Sequence, residues 1–273
     1  MSLSFDMSHQ ASMGARRYQE DACVFAHLGV PAPQSPAPPL GQTARTVPLV
    51  PATVGVVAVL ADGMGGHVGG ERASTTACRG FLDALDANPG NVGDHLSEAL
   101  AYANDAIRRE VTAEPGLHGM GCTLIGAVLE QAGLRWVSVG DSRLFLFRDG
   151  QLFQLNEDHS LAPLLDQLAE QGELTPAEAL AHPRRHHLRS ALTGEPIELV
   201  DLARERVVLL AGDCVILASD GIDTLEPDAI ADVIEANRGR GAEAIATALI
   251  ATVDGQGRAG QDNTTVMAVV VRA

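Results

Sequence analysis

The sequence predicts an α+β layered domain in which sheets stack on each other and are covered by helices. Three observations lead there. Val- and Ile-rich runs recur along most of the chain, and stretches of helical periodicity fall in pairs between them. Several of the apolar runs are joined by turns too short for a crossover, so most pairings should be antiparallel hairpins. With 273 residues, 46% of them hydrophobic, the chain can bury a sizeable core within one large domain, 1–273.

In chain order, ACVFAHL (22–28) and TVGVVAVLA (53–61) read as strands. Between them, residues 31–51 hold seven of the fourteen prolines and one charged residue, Arg45. Proline cannot donate to a ladder, so this stretch is excluded from core sheet and reads as a long loop insertion. Helical periodicity follows at 69–86 and 93–112, then strands at CTLIGAVL (122–129), LRWVSVG (134–140), RLFLF (143–147) and QLFQL (151–155). Asp149-Gly150 separates the last two and marks a hairpin with a two-residue turn. Helices at 160–171 and 176–181 precede strands RERVVLL (204–210) and CVILAS (214–219). Two helices, 227–237 and 241–253, lead to Asp254-Gly255 as a helix end, and TTVMAVVV (264–271) closes the series. No internal repeat is visible.

The formal charge of −16 argues against binding nucleic acid or an anionic membrane and favours cation binding. All 19 basic residues are arginine, which removes lysine-based covalent chemistry. Cys23, Cys78, Cys122 and Cys214 lie far apart without a C-x-x-C pair, as expected of reduced thiols in a cytoplasmic protein and not of a disulfide frame or zinc site. The first residues lack a signal peptide's apolar centre, and no run approaches the ~20 apolar residues of a membrane span. A soluble monomer is the default expectation.

The acids at strand ends carry the chemistry. Asp62, Asp141 and Asp220 end apolar runs, while Asp21 and Asp262 stand just before others. In antiparallel sheets the end of one strand lies beside the start of its neighbour, so the five carboxylates can share one rim. Surface turns at strand ends are the competing reading, because Asp-Gly is a common turn dipeptide. Crowded carboxylates repel, and a divalent cation relieves that repulsion. An all-oxygen donor set without nearby His or Cys points to Mg²⁺ or Mn²⁺ over zinc. Glycines after Asp62 would let backbone carbonyls approach such ions.

The segments GARRYQED (14–21), ADGMGGHVGGERAS (61–74), GMGCTL (119–124), VGDSRLFLFRDGQLFQLNEDHSL (139–161), HPRRHHLRSALTG (182–194), LASDGI (217–222) and GQDNTTVMAVVV (260–271) settle which reading to follow. Together, and in this order, they resemble the bacterial form of the metal-dependent serine/threonine protein phosphatases of type 2C. The resemblance covers nearly the whole chain.

It implies a four-layer αββα sandwich of two mainly antiparallel sheets flanked by helix pairs, with a flap over residues 161–187. It also implies a centre of two Mn²⁺ or Mg²⁺ ions at one end. Asp62 would bridge the two ions and Gly63 would offer its carbonyl to one. Asp220 and Asp262 would complete the first ion's shell, and Asp21 would serve the second, with Glu20 acting through water. Asp141 with Asp220 would hold a third, weaker ion. Arg16 would grip the substrate phosphate, to which its planar fork is suited. A water activated between the ions would then attack phosphorus in phosphoserine or phosphothreonine of proteins, opposing a bacterial serine/threonine kinase.

Departures from the family pattern are specific. Met64 stands where several relatives carry a histidine that protonates the leaving group, and His67, three residues on, does not inherit that role, so the general acid is unassigned. Gln19 and Cys122 are local changes. HPRRHH (182–187) is read as an exposed segment ending the flap, with Arg184, Arg185 and Arg189 supplying local positive charge. Trp136 is read as core, and Arg143 as a structural support of the acid rim. A metal-free scaffold of the same fold is disfavoured because every acid is in place. A phosphatase of anti-anti-sigma regulators is disfavoured because 157–190 leaves room for a flap. The −16 charge disfavours a two-metal nuclease.

Overall fold

In a computed structural model, the strands that read as unbroken apolar runs are those buried on both faces. The structure describes residues 2–27, 47–50, 55–65, 68–87 and 95–273, with backbone alone at 47–50 and Val68. The strands are β1 Ser4–Ser12, β2 Ala22–His27, β3 Val47–Val50, β4 Val56–Ala61, β5 Gly63–Met64, β6 Gly121–Cys122 and β7 Leu124–Glu130. They continue with β8 Gly133–Val139, β9 Arg143–Arg148, β10 Gln151–Gln154, β11 Asp201–Leu202, β12 Cys214–Ala218 and β13 Thr264–Arg272. The helices are α1 Val68–Ala87, α2 Leu96–Ala113, α3 Ala162–Glu170, α4 Pro176–Leu180, α5 Pro227–Asn237 and α6 Ala242–Gly255. None among the described residues is long and apolar enough to cross a membrane.

Two sheets form, ordered β10-β9-β12-β13-β1-β3 and β11-β8-β7-β4-β2, with every named pairing antiparallel. Three cores separate four layers. Between the sheets lie Val56, Ala58 and Leu60 of β4 and Met267, Val269 and Val271 of β13. The alternate residues of the same strands face helices: Val57, Val59 and Ala61 meet α1 and α2, and Val266, Ala268 and Val270 meet α5 and α6. This is the αββα arrangement, and it explains why β4 and β13 show no polar alternation. Phe81 of α1 is fully buried against Gly126 of β7, where a Cβ would overlap its ring.

The remaining sequence expectations meet mixed outcomes. The Asp149-Gly150 turn is present with φ of 51° and 79°, the positive pair that a tight hairpin turn requires. Trp136 is 8% exposed and its Nε1–H donates to Asp201 Oδ2 at 2.8 Å, a core position with its polar edge satisfied. RERVVLL does not form a strand. Its segment touches β8 through one bridge, Leu134 to Val207, and leaves Val208 and Leu210 exposed. Val47–Val50, read as loop, is instead an edge strand on β1, a position that tolerates Pro48. The rest of the proline-rich stretch, 31–46 and 51, lies outside the described residues, as does His67.

The strand β1 was not expected at all. Its Phe5 and Met7 enter the inter-sheet core, while fully buried Ser8 occupies the other face, opposite Ala-rich α6. Asp6 Oδ2 accepts the Ala242 N–H at 3.2 Å and meets Arg272 at 3.0 Å, so the polar side of this strand anchors the start of α6.

Candidate metal centre

Strand register brings the acids together. Ala22 pairs with Ala61, so Asp21 and Asp62 stand side by side at one sheet's end. Ala218 pairs with Val266, which puts Asp220 and the residues leading into β13, Asp262 among them, at the same end of the other sheet. Asp141 lies in the turn from β8 to β9, where the chain passes between sheets. Arg16, Glu20, Asp62, Asp141, Asp220 and Asp262 all line one cleft of about 740 Å³. Asp21 is 1% exposed beneath it, and its carboxylate repels those of Asp62 and Asp220.

Polar neighbours fix these acids. Thr123 Oγ1 accepts the Asp62 N–H at 3.0 Å, and the Thr123 N–H donates to Asp62 O at 2.9 Å. Ser142 Oγ completes that clamp at 2.8 Å from Thr123 Oγ1. Ser219 Oγ donates to Asp21 Oδ2 at 2.8 Å, and accepts the Thr265 N–H at 2.9 Å. Asn263 holds the arm that carries Arg16: its Nδ2 donates to Met13 O and Tyr18 O at 3.0 Å, and its Oδ1 accepts the Glu20 N–H at 2.8 Å. Sequence reasoning missed these hydroxyl and amide supports. Ser142, Ser219 and Asn263 carry one signal, a place next to an acid, and Thr123 carries none.

Arg143 does support the rim. Its guanidinium, 14% exposed, joins Asp158 at 2.8 Å to Asp223 at 2.6 Å, and so ties the turn after β12 to the segment after β10. Of the arginines expected to lend positive charge, Arg189 lines the cleft together with His186 and His187. Arg185 is committed elsewhere, with two 2.8 Å bonds to Asp166 of α3. Residues 161–187, the expected flap, contain α3 and α4, the latter opened by a capping box between Thr175 and Glu178.

Electrostatics distinguish this rim from a row of surface turns. Burial, and then the neighbouring carboxylates, push Asp21 and Asp220 up to about 6 and hold Asp62 well above the ordinary carboxylate range. Asp141 is pushed up to about 7 by burial and by Asp220. Asp21 Oδ1 is sealed from solvent without a hydrogen bond. Arg16 Nη2 meets Asp262 Oδ2 at 2.6 Å, at the outer edge.

Among the described residues, no three carboxylate, imidazole or thiol side chains stand close enough, as placed, to enclose an ion. The donor set nevertheless suits a hard cation. It is all oxygen and mutually repelling, with Asp21 and Asp141 buried and the other aspartates half-buried, and it includes an unsatisfied carboxylate oxygen.

A pH dependence follows for the protein in chelator. Asp220 ionises near 3.8 unfolded but near 6 folded. Between those values the folded state holds more protons, so its contribution to stability is full below the lower value and is lost as pH rises through the upper one. Asp220→Asn should therefore gain in melting temperature relative to wild type as pH rises from about 4 to about 7. A difference that stays constant or shrinks over that range would contradict the assigned repulsion.

Comparison with known proteins gives a consistent result. Residues 50–253 match the protein phosphatase 2C family. The serine/threonine protein phosphatase PstP of Mycobacterium tuberculosis is 38% identical over 180 residues, 64% of this chain, which span 34% of that protein's length. The serine/threonine phosphatase stp of Listeria monocytogenes is 32% identical over 219 residues, 78% of this chain and 83% of that one. The crystal structure of Mycobacterium tuberculosis PstP/Ppp aligns with a TM-score of 0.73 at 30% identity, covering 99% of this chain and 100% of the other. A structure of the PstP catalytic domain in complex with two manganese ions aligns with a TM-score of 0.70 at 30% identity, covering all of both chains.

Proposed function

The chain belongs to the protein phosphatase 2C family, and we propose that it hydrolyses phosphoserine and phosphothreonine in proteins at a centre of two Mn²⁺ or Mg²⁺ ions. The observation that carries this reading is the set of mutually repelling aspartates, Asp21 and Asp141 buried and the others half-buried, gathered at an arginine-edged cleft. Two bound cations would supply a water of lowered pKa and neutralise charge on the phosphoryl oxygens. Asp62 would face both ions, with the Gly63 carbonyl beside it. Asp220 and Asp262 would hold one ion, Asp21 the other, and Glu20 a water on the latter. Asp141 with Asp220 would hold a third.

What the chain's own groups do follows from their placement. Asp262 has to turn from Arg16 to take up a cation, which frees a guanidinium fork at the cleft edge for two oxygens of the substrate phosphate. Thr123 and Ser219 stay fixed on the backbone of Asp62 and the carboxylate of Asp21, so these acids are held before substrate arrives. The 186–189 wall forms the side over which a phosphopeptide would lie. A serine/threonine kinase is the opposing enzyme that this substrate chemistry requires.

The test is phosphate release from a phosphothreonine peptide with Mn²⁺, with EDTA, and with Asp262→Asn. Release that needs Mn²⁺ and collapses in the variant is expected. A folded wild-type protein inactive with both Mn²⁺ and Mg²⁺ would instead make it a binding scaffold.

A further inference from the structure

His159 has no part in the chemistry above, yet it is among the most enclosed polar residues near the centre, at 3% exposed. Its Nδ1 accepts the Gly140 N–H at 3.2 Å, and its backbone N–H donates to Gly140 O at 3.0 Å. Its carbonyl accepts the Arg189 N–H at 2.8 Å, and next to it Ser160 bridges to Leu188. One residue therefore joins the turn that presents Asp141 to the wall of the cleft.

The turn has little freedom of its own. Gly140 has φ of 103°, and a Cβ there would overlap Thr123, the residue that clamps Asp62. An imidazole that accepts through Nδ1 is neutral and carries its proton on Nε2. Burial favours the same neutral form by lowering the His159 pKa.

We infer that His159 is a positioning residue: through Nδ1 it fixes the Gly140–Asp141 turn, and with it the affinity of the cation that Asp141 shares with Asp220. The inference rests on the metal reading of the preceding subsection. Groups that orient a ligand in this way typically change metal affinity about 10–100-fold when removed. Asparagine places an acceptor oxygen close to the position of Nδ1, whereas leucine fills similar space without one.

The experiment is a calorimetric titration of the full chain with Mn²⁺, comparing wild type, His159→Leu and His159→Asn, with melting temperatures in chelator alongside. His159→Leu should weaken the last, weakest binding event about 10–100-fold, leave the tighter events unchanged, and be rescued by His159→Asn. Unchanged weak binding in His159→Leu, no rescue by asparagine, or a loss of every event in step with melting temperature would overturn it. The nitrogen NMR spectrum of the wild-type imidazole provides a check that needs no variant. Nδ1 must be the unprotonated nitrogen, and a protonated Nδ1 overturns the proposal. Wild type that binds no Mn²⁺ at all would be recognisable as failure of the metal reading itself.

Discussion

Asp62→Asn is expected to lower Mn²⁺-dependent phosphate release on the order of 10³-fold while making the metal-free protein more stable. The two effects have one cause. Asp62 lines the cleft half-buried, and the carboxylates of Asp21, Asp220, Asp141 and Asp262 all raise the cost of its charge. Removing that charge relieves the repulsion but deletes the carboxylate assigned to both ions. Asparagine keeps the shape, and the backbone bonds between residue 62 and Thr123 do not involve the side chain. Thermal melts in EDTA near pH 7 should therefore rise by about 2–4 °C for each kcal/mol relieved. Adding Mn²⁺ should stabilise wild type more than the variant, because ligand binding to the folded state alone adds stability by mass action. A variant that is less stable in EDTA, or that keeps activity, would count against the assignment.

Gly63→Ala should unfold the metal end of the molecule by a route that has nothing to do with charge. A Cβ on residue 63 would overlap the carbonyls of Gly70 and Glu20, and a Cβ on Gly70 would in turn overlap the Glu20 carboxylate. The obstructing atoms at residue 63 are backbone, so no side chain can swing aside. β5, the first turns of α1 and the residue before Asp21 are interlocked at a spacing only glycine permits. Overpacking here should cost about 3 kcal/mol or more, read as a fall of roughly 6 °C or more in melting temperature. Gly255→Ala is the control. Nothing lies within 4 Å of a Cβ there, and the change should stay within about 1 kcal/mol. Equal effects at the two positions would refute the interlock.

This second case changes what the glycines after Asp62 mean. The sequence suggested that they bring backbone close to ions; the structure adds a packing reason at residues 63 and 70 that holds without any ion. The acids themselves were legible because each sits where an apolar run stops, and strand ends in antiparallel sheets share a rim. Their supports were not. Thr123, Ser219 and Asn263 are short polar residues whose partners lie 61, 198 and up to 250 residues away, and no local pattern encodes such pairings.

The same physics explains the strand errors. β1 is hidden because its helix-facing side is polar, with Asp6 and Ser8 tolerated by the small residues of α6 and by the helix start they anchor. RERVVLL misleads because Val and Leu signal β-propensity whether or not a partner strand exists, and there β8 already pairs with β11. Val47–Val50 was set aside for its proline, although an edge strand accepts one. Helices were easier, since α1, α5 and α6 each carry a long apolar stripe between clear ends.

The central claim is that the clustered aspartates are a cation site whose filling turns on phosphate release. Its most direct test follows release from a phosphothreonine peptide while Mn²⁺ is titrated into the chelator-stripped chain, with bound Mn²⁺ counted in the same samples. Release should be absent at zero Mn²⁺ and rise with the second ion bound. Release that persists without bound metal, or a folded chain that takes up two ions and stays inert on phosphoserine and phosphothreonine peptides alike, would contradict it.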